Sequence, residues 1–109
     1  MDISKFKDII KSEKLSIFVF SAEWCTPCHE IWETLTELVS NVKNEINIHL
    51  LDIDEYPEIA EKLGIIGVPS LYIFKNSNQK YSSLGVLSKL ELENLVNKYV
   101  HSSQEIPVR

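Results

Sequence analysis

Two cysteines are all this 109-residue chain contains, so it is not a secreted scaffold held together by many disulfides. It has no long apolar run: its longest hydrophobic stretches fall well short of the length needed to span a bilayer. No basic cluster stands out. With 11 basic against 16 acidic residues the net charge is −5, which makes nucleic acid and anionic membrane unsuitable partners. The opening residues, Met1-Asp2-Ile3-Ser4-Lys5, lack the charged-then-apolar layout of a signal peptide. The cytoplasm, where free thiols are the resting state, is therefore the expected compartment. Repeats and linkers are also missing. The hydrophobic share of 44% and charged share of 25% are those of a globular chain, expected to fold as one domain over residues 1–109 with 102–109 as a flexible tail.

The order of elements reads α-β-α-β-α-β-β-α. Ile3, Phe6, Ile9 and Ile10 recur at helical spacing behind Asp2 or Ser4 as cap. Leu15 to Phe20 is almost continuously apolar, as suits an interior strand covered on both faces. Pro27 fits the first turn of a helix, and Ile31, Leu35, Leu38, Val39 and Val42 mark its buried stripe. A second strand covers Ile46 to Asp52, and a short helix follows Pro57, capped by Gly64. Leu71 to Phe74 and Gln79 to Leu84 form a hairpin about Asn76-Ser77-Asn78. Ser88-Lys89-Leu90-Glu91 is a capping box opening the last helix. This order predicts an α/β fold, a mixed sheet with helices on both faces.

Cys25-Thr26-Pro27-Cys28 lies where the first strand gives way to the second helix. A ring this small stabilises a fold by only about 2 kcal/mol. The spacing suits a pair that switches between two thiols and one disulfide. Disulfide exchange needs an accessible, acidified thiol. Cys25 falls just before the helix, where backbone N–H groups and the helix dipole stabilise an anion. Cys28, one turn in, is close enough to resolve a mixed disulfide formed at Cys25. Pro27 restrains the loop, and Trp24 supplies an apolar shelf. The pattern with His29 formally matches a haem attachment site, but no axial partner is evident. Zinc would need two more ligands, and His29, His49 and His101 are scattered. No cofactor and no metal are expected.

The stretch Ala22-Glu23-Trp24-Cys25-Thr26-Pro27-Cys28 resembles the thioredoxin active site, and Val68-Pro69-Ser70 resembles the family's second landmark. The resemblance runs over about residues 4 to 101 and implies a thioredoxin fold with four strands, or five. It implies a protein-disulfide reductase with Cys25 and Cys28 as the redox pair, served by a thioredoxin reductase and acting as a monomer. Pro69 would follow a cis peptide bond and face the disulfide. Substrate peptides would lie along Ile66, Gly67 and Val68, with Trp24, Thr26, Pro27, Gly85 and Val86 completing the surface. A partner-binding subunit with secondary redox activity is the alternative.

The chain departs from the family in several places. Val19 and Leu50 stand where most thioredoxins carry a buried Asp–Lys pair, Ser21 replaces a common aromatic, and Thr26 replaces a Gly. The leading strand is largely missing. Cys28 must then lose its proton to water or another group, so slow resolution of mixed disulfides is expected.

Overall fold

The structure is a computed structural model and describes residues 1–101; the expected tail lies outside them. The first helix, α1, runs Ile3–Ile10, with the Asp2 carboxylate accepting from the Lys5 N–H at 2.8 Å. Strand β1 covers Ser16–Ser21, and every residue of it is buried. Helix α2 spans Thr26–Leu38. It starts earlier than its apolar stripe alone suggests, because Pro27 sits in its first turn. It also stops earlier, and Ser40–Val42 forms a separate 3₁₀ turn. Ser40 and Asn41 compete for local backbone groups and favour leaving the α-helix. Val39 and Val42 remain buried regardless.

Strand β2 is Asn47–Asp52 and helix α3 is Pro57–Leu63, closed by Gly64 at φ 70°. That left-handed cap needs a residue without Cβ. Strands β3, Ser70–Lys75, and β4, Asn78–Leu84, form the hairpin. Its turn is tighter than expected, two residues only, with Asn76 at φ 51° and Ser77 at φ 66°. Those N–H groups donate to Ser12 and Ile10 at 3.0 and 2.7 Å, tying the turn to the segment that ends α1. Helix α4, Lys89–Leu95, opens on the full capping box of Ser88 and Glu91. The Glu91 carboxyl is held below its usual range by hydrogen bonds from the Ser88 backbone and side chain. The helix then widens into a π turn over Val96–His101 instead of continuing as α.

The sheet has four strands in the order β2-β1-β3-β4. β1 pairs in parallel with β2 and antiparallel with β3, which pairs antiparallel with β4. No fifth strand is present among the described residues. Side-chain alternation divides the core in two. Phe18 and Phe20 join Phe6 of α1, Ile59 of α3 and Phe74 on one face. Ile17 and Val19 join Ile31 and Leu35 of α2 and Leu92 of α4 on the other. The continuous apolar run of β1 follows from this position, central in the sheet and covered on both sides. Its C-terminal end delivers the chain to the cysteines.

Candidate active site

The structure holds Cys25 and Cys28 as a disulfide, their Cα atoms 5.4 Å apart. Cys25 is the N-cap of α2, and the Cys28 N–H donates to its Sγ at 3.3 Å. The sulfur thus occupies the place a Ser or Asp oxygen takes at an ordinary helix start. It faces the unsatisfied N–H groups and the positive end of the helix dipole. A turn closed by Cys25 N–H to the Ala22 carbonyl, 3.0 Å, turns the chain from strand to helix. The two cysteines are not equally accessible. Cys25 is 5% exposed and Cys28 is fully buried, so a reagent meets Cys25 first.

Ala22 packs with both cysteines, and Ile53 and Val68 close the cluster. Ile53 lies just past β2, so the end of that strand delivers it to the site. The Val68–Pro69 bond is cis, and Pro69 is buried. The Ser70 hydroxyl donates to the Gly67 carbonyl at 2.7 Å. The Gly85 N–H donates to the Pro69 carbonyl at 2.9 Å, joining the segment after β4 to the one before β3. Gly85 has φ 113°, which other residues seldom adopt. A Cβ on Gly67 would come within 3.2 Å of the Leu84 side chain.

Large apolar side chains on the adjoining segments are exposed to solvent: Trp24 at 73%, Ile66 at 88% and Val86 at 65%. Single exposed apolar residues are commonplace; several beside one reactive bond suggest a contact surface. Pro27 and Val86 share a cleft of about 330 Å³ between α2 and the start of α4. Thr26 is exposed beside it, while Gly67 and Val68 are half-buried. The structure therefore packs Val68 against the cysteines, ties Gly85 to Pro69, and leaves Trp24, Ile66 and Val86 outward.

On the α2 side of the sheet, Val19 is fully buried and is paired with Leu50 in the β1–β2 register. Two apolar side chains meet where a buried charge pair would carry a desolvation penalty. His29 and Glu23 are both exposed. Asp52 accepts the Asp54 N–H at 2.7 Å, a local turn bond. Among the described residues no group of three or more His, Cys, Asp or Glu could hold a metal ion. No helix among them is long and apolar enough to cross a membrane.

Comparison with known proteins agrees with this geometry. The thioredoxin family model matches residues 1–98. A thioredoxin of Buchnera aphidicola is 34% identical over 92 residues, 84% of each chain. One from Rickettsia bellii is 31% identical over 99 residues, 91% of this chain and 94% of its own. Among solved structures, Plasmodium falciparum thioredoxin superposes with a TM-score of 0.80 at 30% identity, covering 91% of this chain and 95% of that one. A disulfide at the head of α2, a cis-proline loop packed on it and a family match along nearly the whole chain converge on one conclusion: the chain belongs to the thioredoxin family of thiol–disulfide oxidoreductases.

Proposed function

We propose that the chain reduces protein disulfides through a mixed disulfide at Cys25. The observation that carries this reading is the capping geometry, Cys25 Sγ at the start of α2 with the Cys28 N–H donating to it. In the reduced protein that position favours the thiolate. The Cys25 thiolate attacks one substrate sulfur, the substrate S–S bond breaks, and the other substrate sulfur leaves as a thiolate that takes up a proton. The Cys28 thiol loses its proton and attacks Cys25 Sγ. The second substrate thiolate leaves, and the Cys25–Cys28 disulfide remains. A thioredoxin reductase then returns two electrons to the pair. The reading puts the protein in the cytoplasm, where the reduced form persists.

Substrate docks on the apolar rim. Trp24, Thr26 and Pro27 flank the nucleophile, and an extended segment lies along Ile66, Gly67 and Val68 with Pro69 and Gly85 behind it. This arrangement leaves the Val68 backbone to pair with substrate. An insulin-reduction assay tests the reading. Turnover with a thiol or reductase donor is expected, and its absence overturns it. The apolar Val19–Leu50 pair favours one rival reading, a partner-binding subunit with secondary redox activity. That protein would leave insulin intact and bind its partner in both redox states.

A further inference from the structure

A second cleft, of about 400 Å³, opens on the other side of the disulfide. Val68 and Pro69 lie on the β3 side of β1; this cleft lies on the β2 side, between the head of α2 and the segment joining β2 to α3. Ala22, which packs on both cysteines, forms part of its wall. The cleft is therefore within reach of a residue next to a substrate cysteine held at Cys25.

The lining is acidic. Glu23, Asp52 and Glu55 contribute three carboxylates; among the described residues no Lys or Arg lines the cleft, and His29 supplies its one basic group. The Lys11–Asp8 ion pair involves none of them. Asp52 spends one oxygen on the Asp54 N–H. At the floor stands Ser21, 3% exposed. Strand alternation turns its side chain, like that of Val19, towards α2 and the cleft. Its hydroxyl has no hydrogen-bond partner among the described residues. Ser21 Oγ is open to the cleft, where water serves it until a donor from a bound partner takes that place. A group with several donors and a positive charge answers both features: it donates to the Ser21 oxygen and meets the carboxylates.

We infer that this cleft receives a lysine or arginine side chain of the substrate protein, carried beside the disulfide cysteine. The inference rests on the disulfide-reductase reading. Ser21 is a specificity residue by virtue of its size. The aromatic side chain that resemblance leads one to expect at this position would fill the space.

The test uses two cyclic peptides closed by one disulfide, identical except that a lysine beside the cysteine becomes norleucine. Second-order rate constants for their reduction by the reduced protein are followed by Trp fluorescence. The wild-type protein is expected to favour the lysine peptide by roughly two- to fivefold, the range of an exposed to half-buried ion pair. The ratio falls to about one in Ser21→Trp, which closes the cleft, and in the double change Glu23→Gln with Glu55→Gln. It also shrinks at high salt. If the wild-type protein reduces both peptides at equal rates, or the preference survives in the variants, the inference is overturned. If neither peptide is reduced, the reductase reading fails and takes the inference with it.

Discussion

The face of the sheet beneath α1 and α3 is packed with rings; the face beneath α2 and α4 has no fully buried ring. On the first, Phe6 lies 4.9 Å from Phe18 and 5.8 Å from Phe74 by ring centroids, and Phe20 meets Tyr72 edge-on at 5.7 Å. Such tilted and edge-to-face pairs add stability beyond the area they bury. On the second, Leu, Ile and Val side chains predominate, and a small apolar cavity of about 10 Å³ remains between β1, β3 and α4. The disulfide rides on α2, over this aliphatic face. The aromatic face fixes the sheet. The aliphatic face supports the helix that carries the reactive bond and contains Val19, the buried position where the family resemblance expects an acid.

Each face can be perturbed alone. Phe18→Ala removes the ring that contacts Phe6, Phe20, Phe74 and His49. A loss of about 3 to 5 kcal/mol in urea unfolding is expected, while the folded fraction still reduces a peptide disulfide at the wild-type rate. A change in that rate per folded molecule would show that the faces are not separable. On the other face, Val19→Asp places an unpaired carboxyl in a fully buried site. It is expected to cost about 3 kcal/mol, part of which Leu50→Lys recovers. It is also expected to speed the resolving step by about tenfold or more near neutral pH, by supplying the buried base that the family resemblance calls for. No gain in a stopped-flow comparison would count against that account of the missing charge pair.

Two smaller effects sharpen the contrast. Ser83 faces the aliphatic side, opposite Leu71 in the ladder, and its buried hydroxyl has no hydrogen-bond partner among the described residues. Ser83→Ala is expected to raise stability by about 1 kcal/mol, read from the denaturant midpoint. On the ring-rich side, His49 stacks on Phe18 with centroids 5.4 Å apart. Burial, and then the positive charge of Lys5, push its pKa below the ordinary 6.5. The folded state therefore prefers the neutral ring. Stability is full above pH 6.5 and falls as pH drops from there through the folded value. Proton NMR should place the His49 midpoint below 6.5, and His49→Gln should flatten the acid slope.

Much of this division could be read in advance, because it rests on local signals. The uninterrupted run of β1 announced a strand covered on both faces, and it is buried throughout. Pro27, Gly64 and the Ser88–Glu91 box marked helix ends that the structure keeps. The cysteine pair and Val68-Pro69 were legible as motifs. What escaped depends on how distant segments meet. The 3₁₀ break after Leu38 and the π turn after Leu95 preserve the apolar stripe, so periodicity alone does not reveal them. Cys25 capping its own helix requires a backbone angle that spacing does not give. The cleft at Ser21 exists only once the β1–β2 register brings Asp52 beside it.

The central claim is that Cys25 attacks and Cys28 resolves, and a trapping experiment tests it most directly. The reduced Cys28→Ser protein is mixed with a disulfide-containing peptide and analysed by mass spectrometry, beside Cys25→Ser. The account predicts a stable adduct, one peptide joined at Cys25, in Cys28→Ser and none in Cys25→Ser, since Cys25 keeps exposed surface and Cys28 has none. An adduct forming equally well on Cys28, or on neither cysteine, would contradict it.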